Sequence, residues 1–97
     1  MFEITLTEGA IEDLRTLKRA ERRKILAELE SQLTYDPAVE TRNRKKLRPN
    51  KLAEWELRID RFRIFYDVIQ GDLLIKIEAV GYKRGNRLFI GGKEYEL

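Results

Sequence analysis

The sequence predicts an α+β fold: an N-terminal strand and a two-helix hairpin packed on a mostly antiparallel four-stranded sheet, with a short C-terminal hairpin. Two observations carry that expectation. Apolar residues recur at helical spacing between residues 10 and 33, and three consecutive segments between residues 54 and 80 are alternating or β-branched and are joined by short turns. A third observation concerns charge. Residues 1–40 carry 6 cations and 9 anions, whereas residues 41–97 carry 14 cations and 8 anions, so the sheet-forming half is the positive half.

Phe2-Glu3-Ile4-Thr5-Leu6 alternates and predicts a first strand with Phe2, Ile4 and Leu6 inward. Thr7 offers an N-cap hydroxyl to a helix carrying Ala10, Ile11, Leu14 and Leu17, and Glu8 in its first turn suits the helix dipole. Lys18-Arg19 falls near that helix's end. A second helix starts near Ala20 with Ile25, Leu26, Leu29 and Leu33 as its stripe, and Tyr35-Asp36-Pro37 ends it, because a residue before proline is biased away from helix. Arg22-Arg23-Lys24 reads as a solvated helix face.

From Ala38 to Asn50 periodicity vanishes, which predicts a mobile polar connector anchored by Leu47 and ended by the Pro49-Asn50 turn. Six cations (Arg42, Arg44, Lys45, Lys46, Arg48, Lys51) follow Glu40 in it with no intervening acid. That excess over what solubility requires points to a polyanion or an acidic protein as partner.

The next strand, Glu54 to Asp60, alternates strictly and turns Trp55, Leu57 and Ile59 inward, Trp55 as a core residue. Asp60-Arg61 is short enough for a tight hairpin although it lacks glycine. Phe62 to Ile69 follows, with Phe62, Ile64, Tyr66 and Val68 on one face, and after Gln70-Gly71-Asp72 comes Leu73 to Val80, with Leu73, Ile75, Ile77 and Ala79 on one face. The opposite face then holds Glu54, Glu56, Arg58, Arg63, an exposed Phe65, Asp67, Lys76 and Glu78 beside the cationic connector. Cross-strand pairs such as Arg58 with Asp67 or Glu78 account for most of these charges as a soluble open face. Gly81 to Arg87 reads as a glycine-flanked basic loop, and Leu88 to Leu97 as a hairpin turning at Gly91-Gly92.

At 97 residues the chain suits one domain, and 42% apolar with 38% charged residues describes a folded, highly charged protein rather than a disordered one. It contains neither cysteine nor histidine. Disulfides, thiolate metal sites and the commonest neutral-pH acid/base group are thereby excluded, so any catalysis must use Lys, Arg, Tyr, Glu or Asp. No apolar run approaches a bilayer span and no signal-peptide layout is visible, so a cytoplasmic protein without a membrane partner is expected.

The strand, helix hairpin, basic connector and meander contain Trp55-Glu56-Leu57-Arg58, Arg63-Ile64-Phe65-Tyr66-Asp67-Val68 and Ile77-Glu78-Ala79-Val80-Gly81-Tyr82-Lys83-Arg84. In this order they resemble the RelE/ParE superfamily of bacterial type II toxin–antitoxin toxins over nearly the whole chain. The Arg-x-x-Tyr of the middle strand and the Val-Gly-x-Lys-Arg ending the next carry most of the likeness.

The resemblance implies a toxin silenced by a small antitoxin laid across it. In the RelE branch such a toxin cuts messenger RNA on the ribosome without metal or small-molecule cofactor; in the ParE branch it poisons DNA gyrase. By that likeness Arg63 and Lys83 or Arg84 would stabilise the scissile phosphate, and Tyr82 would replace a phenol that RelE carries where this chain has Phe89. Arg44, Lys45, Lys46, Arg48, Lys51, Arg58 and Lys76 would grip RNA or the ribosome. Where RelE has lysines on the strand before the hairpin, this chain has Glu54 and Glu56, read as surface residues. Arg63 has a plainer alternative, an ion pair with Asp67 or Glu56. The expectation is therefore a ribosome-dependent, metal-independent mRNA endoribonuclease; the alternative is a gyrase inhibitor or an inactive relic that only binds its antitoxin.

Overall fold

The computed structural model describes residues 1–97. Its elements run β1 (Glu3–Leu6), α1 (Glu8–Arg15), α2 (Arg19–Leu33), β2 (Arg44–Lys46), β3 (Trp55–Ile59), β4 (Phe62–Ile69), β5 (Leu74–Arg84), β6 (Arg87–Ile90) and β7 (Lys93–Glu94). All seven strands join one sheet in the order β2-β3-β4-β5-β6-β7. β1 lies parallel to the first half of β5, from Glu3 opposite Leu74 to Leu6 opposite Ile77, and β6 lies antiparallel to its second half, from Gly81 to Arg84.

The helices cover one face. Ala10, Leu14, Ile25, Leu29 and Leu33 pack there against Trp55, Leu57, Ile59, Phe62, Ile64, Tyr66, Ile75, Ile77 and Val80. Tyr66 stacks on Trp55 at 6.1 Å and donates its buried hydroxyl to the Pro37 carbonyl at 2.8 Å. Burial pushes its phenol well above the usual range, so the tyrosine of the Arg-x-x-Tyr motif is a core hydrogen-bond donor.

Three expectations about faces need correction. Phe65, expected to be exposed, is fully buried: it does point away from the helices, but Leu47, Leu52, Ala53, Ala79, Leu88, Ile90 and Tyr95 form a second apolar cluster around it. Burying a phenylalanine is worth about 1.5–3 kcal/mol, which rewards folding the connector and the C-terminal segment over it. The connector is accordingly not loose. It contributes β2, whose Arg44, Lys45 and Lys46 pair with Leu57, Glu56 and Trp55.

Leu73 and Ala79 also depart from the expected face. Leu73 is half exposed in a left-handed turn conformation, φ 49°, that closes the Gln70–Asp72 turn. Ala79 is displaced by a bulge: Phe65 lies opposite Ala79 and Tyr66 opposite Ile77, which leaves Glu78 without a partner and reverses the alternation of β5 beyond it. Ile77 and Val80 therefore share the helix face while Ala79 joins Phe65. The basic stretch Tyr82–Arg84, expected in a loop, continues β5, and the turn itself is Gly85-Asn86 between the paired Arg84 and Arg87. A Cβ on Gly81 would lie 2.6 Å from the Phe89 carbonyl oxygen, so only glycine lets β6 approach. In the β3–β4 turn Asp60 supplies the left-handed conformation, φ 53°, that glycine usually provides.

The bulge lies where the outer edge of β5 has no strand beside it, between β1 and β6. Helix α1 fills the gap. The Thr7 hydroxyl donates to the Glu78 carbonyl at 3.1 Å while accepting from the Ala10 N–H as N-cap, and Asp13 Oδ2 accepts the Val80 N–H at 2.9 Å. Asp13→Ala is expected to leave the Val80 N–H unsatisfied and to lower unfolding free energy by about 1–3 kcal/mol in urea titrations, whereas Asp13→Asn, which keeps an acceptor, is expected to cost much less.

The bulged Glu78 meets Asp67 and Lys76. Burial, then the hydrogen bond with Asp67, pushes its carboxyl up against the opposing pull of Lys76, whose Nζ lies 3.7 Å away; burial likewise raises Asp13. A carboxyl raised on folding binds its proton more tightly in the native state, so its stabilising contribution is fully present in acid and is lost as pH rises through the folded pKa. Glu78→Gln is expected to have a urea midpoint close to wild type in acid and an advantage that grows between the ordinary glutamate range and neutrality. A wild-type advantage that grows with pH would show that the Lys76 pairing dominates instead.

Candidate functional site

The groove that bears the expected chemistry opens on the face away from the helices. It has a volume of about 580 Å³ and is lined by Lys45, Lys46, Leu47, Arg48, Pro49, Asn50, Glu56, Arg58, Arg63, Lys83 and Leu97. Register explains the assembly. Lys45 lies opposite Glu56 across β2 and β3, Arg58 opposite Arg63 across β3 and β4, and Arg63 opposite Gly81, two residues before Lys83 on β5. Residues opposite one another in a sheet share a face, so these side chains project together.

The groove is electrostatically unbalanced. The five ion pairs of the molecule are Arg15–Glu12, Lys24–Asp60, Arg61–Glu21, Lys76–Glu78 and Arg87–Glu94. None involves a cation of the groove, so Lys45, Arg48, Arg58, Arg63 and Lys83 face a single acidic side chain, Glu56, while Lys46, which also borders the groove, lies opposite Trp55 and so has the parity of the helix face. Burial lowers the Arg63 pKa, Arg58 opposite lowers it further, and Glu56 partly restores it. Arg63 keeps its orientation by donating from Nη1 to the carbonyls of Asp60 and Phe62, both at 2.9 Å, rather than by an ion pair with Asp67. Such a guanidinium remains charged and in need of anions.

Not every residue singled out in the sequence reaches this groove. Tyr82 alternates with Lys83 and lies on the helix face, stacked on Phe89 at 5.5 Å with the Arg61 guanidinium 5.4 Å from its ring centre. Neither Tyr82 nor Phe89 lines the groove, and Arg84, exposed beside the Gly85-Asn86 turn, does not either. Arg44 is turned toward the helices, since it lies opposite Leu57; it donates from Nε to the Val39 carbonyl at 3.1 Å and from Nη1 to the Gln32 carbonyl, holding the end of α2 to the sheet. Lys76 stands with Glu78, and Lys51 borders a neighbouring cavity of about 610 Å³ whose floor includes Asp67 and Glu78.

Two groove residues escaped the sequence reading. Glu56 looked like one of many open-face charges, although its strict alternation with Leu57 and its place two residues before Arg58, on the same strand face, were visible signals. Asn50 looked like a turn residue only. Its amide fastens the turn that forms one wall: Nδ2 donates to the carbonyls of Arg48 and Ala53, and Oδ1 accepts from the N–H groups of Leu52 and Ala53.

Chemically, the arrangement is one carboxylate able to take a proton amid cations able to bear the charge of a phosphodiester and of its more highly charged transition state. Comparison with known proteins agrees with the fold. The family model described as "ParE toxin of type II toxin-antitoxin system, parDE" matches residues 4–87. No curated protein matches the sequence. Among solved structures, the RelBE2 toxin–antitoxin complex of Mycobacterium tuberculosis is similar at a TM-score of 0.74 and 20% identity, covering 84% of this chain and 91% of that one. The RelE–RelB complex of Pyrococcus horikoshii gives 0.68 and 24%, covering 88% and 97%, and the isolated RelE toxin of E. coli gives 0.70 and 20%, covering 89% of each chain. At these identities the structures attest the shared fold, two helices on a mostly antiparallel sheet. The family match, spanning most of the sequence, goes further: the chain belongs to the ParE toxin family of type II toxin–antitoxin systems, within the RelE/ParE superfamily.

Proposed function

We propose that this toxin blocks translation by cutting messenger RNA in the ribosomal decoding site, as a metal-independent endoribonuclease. The observation that supports the reading is the groove's single acidic side chain, Glu56, among the unpaired cations Lys45, Arg48, Arg58, Arg63 and Lys83. Glu56 takes the proton from a ribose 2′-hydroxyl as its oxygen attacks the adjacent phosphorus. The bond to the 5′-oxygen breaks, that oxygen takes a proton from the Lys83 ammonium or from water held by it, and a 2′,3′-cyclic phosphate remains. Arg63 and Arg58 stabilise the additional charge on the phosphoryl oxygens. Lys45 and Arg48 hold flanking phosphates, with Lys46, Lys51, Lys76 and Arg84 farther out toward ribosomal RNA. The silencing partner is a cognate antitoxin, a reading supported by the solved RelBE2 and RelE–RelB complexes of similar fold; on this chain it would lie over the sheet edge and the basic surface.

A second reading is a gyrase inhibitor without nuclease chemistry. It draws support from the ParE identity of the matching family and from Tyr82, the phenol next to the Lys83-Arg84 basic pair, lying on the wrong face. Incubating the purified toxin with ribosomes and a message, and mapping the ends, separates the two. The nuclease reading expects cleavage within the decoding site that falls about 100-fold or more with Glu56→Gln and with Arg63→Ala. Intact message on active ribosomes, together with inhibited supercoiling by gyrase, would overturn it.

A further inference from the structure

We infer that Asn50 is a positioning residue of the groove: it fixes the Leu47–Glu54 turn so that Arg48 stands as a wall beside Arg63, and so sets how many phosphates the site engages. The inference rests on the groove being the polyanion site. Between the Leu47 N–H bond to the Glu54 carbonyl at 2.8 Å and the β3 ladder, the turn has no backbone hydrogen bonds of its own. The Asn50 side chain replaces them. It donates to the Arg48 carbonyl at 2.7 Å and the Ala53 carbonyl at 2.9 Å, and accepts from Leu52 at 2.7 Å and Ala53 at 3.0 Å, using both amide hydrogens and both carbonyl lone pairs. Asp67 Oδ1 holds the far end by accepting the Glu54 N–H at 2.8 Å.

Neither Arg48 nor Lys51 has a carboxylate partner that could orient it, so the shape of this turn is what places their charges. Leu47 and Leu52 pack beside Phe65, which keeps the turn docked when the amide is removed. Loss of Asn50 therefore loosens the wall without opening the core. A loosened wall must be ordered when a polyanion binds, and fixing the backbone of a single residue corresponds to about tenfold or more in affinity. The ligand class is a phosphodiester backbone, because the groove offers cations and no aromatic ring for base stacking, and the proposed function makes it that of RNA.

The test uses a short, fluorescently labelled 2′-O-methyl RNA, which binds but cannot be cleaved, titrated by anisotropy across a range of salt. Wild type, Arg63→Ala, Asn50→Ala, Arg48→Ala and the Asn50→Ala/Arg48→Ala double variant are compared, with thermal melting to check folding. We expect Asn50→Ala to weaken binding about tenfold or more. Its log K against log salt slope should fall by about 0.7–1.4, the loss of one or two phosphate contacts. Arg48→Ala should cost much less in the Asn50→Ala background than in wild type. A general loss of folded protein would lower affinity without changing the slope. If Asn50→Ala fails to fold, Asn50→Ser, whose hydroxyl can still accept an N–H of the turn, should give an intermediate slope. Weakened binding by Arg63→Ala with an unchanged slope in the Asn50 variants and additive Arg48 effects overturns this inference alone. Wild-type binding by Arg63→Ala overturns the groove reading on which it stands.

Discussion

The unoccupied stretch of the outer edge of β5, residues 78–80, is the constraint from which the working face follows. Pairing with β1 stops at Ile77 of β5 and pairing with β6 starts at Gly81, so the backbone between them must find partners elsewhere. Thr7 and Asp13 of the first helical turns provide them, at the Glu78 carbonyl and the Val80 N–H. With those bonds made, the strand can carry an extra residue, and the bulge at Glu78 turns Val80 inward and Ala79 and Lys83 outward. Without that reversal, the strand's alternation would place Lys83 beneath the helices and Tyr82 beside Arg63. Helix α1 is thus more than a cover for the core: it determines which basic residue of the Val-Gly-x-Lys-Arg segment faces the groove.

The reverse face is stabilised by an economical device. A second small apolar cluster around Phe65 fastens the polar connector and the C-terminal segment to the sheet, and these two segments become the walls of the groove. Burial of Phe65 is therefore coupled to the position of Arg48 and Asn50. Concentrating unpaired cations on such a scaffold opposes folding through their desolvation and mutual repulsion: burial first, and the neighbouring Arg58 second, lower the Arg63 pKa. A bound polyanion would relieve that repulsion, and this is the ground for the proposed polyanion-binding role. Membership of the toxin family gives that electrostatic reading a biological frame, and no helix of the chain is long and apolar enough to cross a membrane.

Much of this was legible in the sequence. The helical spacing of Leu14, Ile25, Leu29 and Leu33 and the alternation of Trp55, Leu57 and Ile59 located the helices and the central strands, and the charge asymmetry located the basic face. What failed has a common cause, namely interactions between residues distant in sequence. The bulge is specified by Thr7 and Asp13, more than 60 residues before Val80, so parity counted along β5 alone put Ala79 on the helix face and left Tyr82 beside Lys83. Phe65 looked exposed because nothing local showed that Leu47, Leu52 and Leu88 would fold over it. Arg44 counted as a groove cation until pairing with Leu57 turned it to the helix side. Asn50 carried the signature of a turn residue, but its value to the groove depends on where the turn docks.

The central claim is that Lys45, Arg48, Arg58, Arg63 and Lys83 form one anion-binding surface, set apart from Tyr82 and Arg84 by the parity of β5. Nuclear magnetic resonance of the isotopically labelled protein during titration with a short 2′-O-methyl RNA tests it most directly. The account predicts that the side-chain N–H signals of Arg48, Arg58 and Arg63 and the backbone amides around Lys45, Glu56 and Lys83 shift together, with one saturation curve, while those of Tyr82, Arg84 and Phe89 stay in place. Shifts centred on Tyr82, Arg84 and Phe89, with the Arg63 guanidinium unmoved, would contradict it.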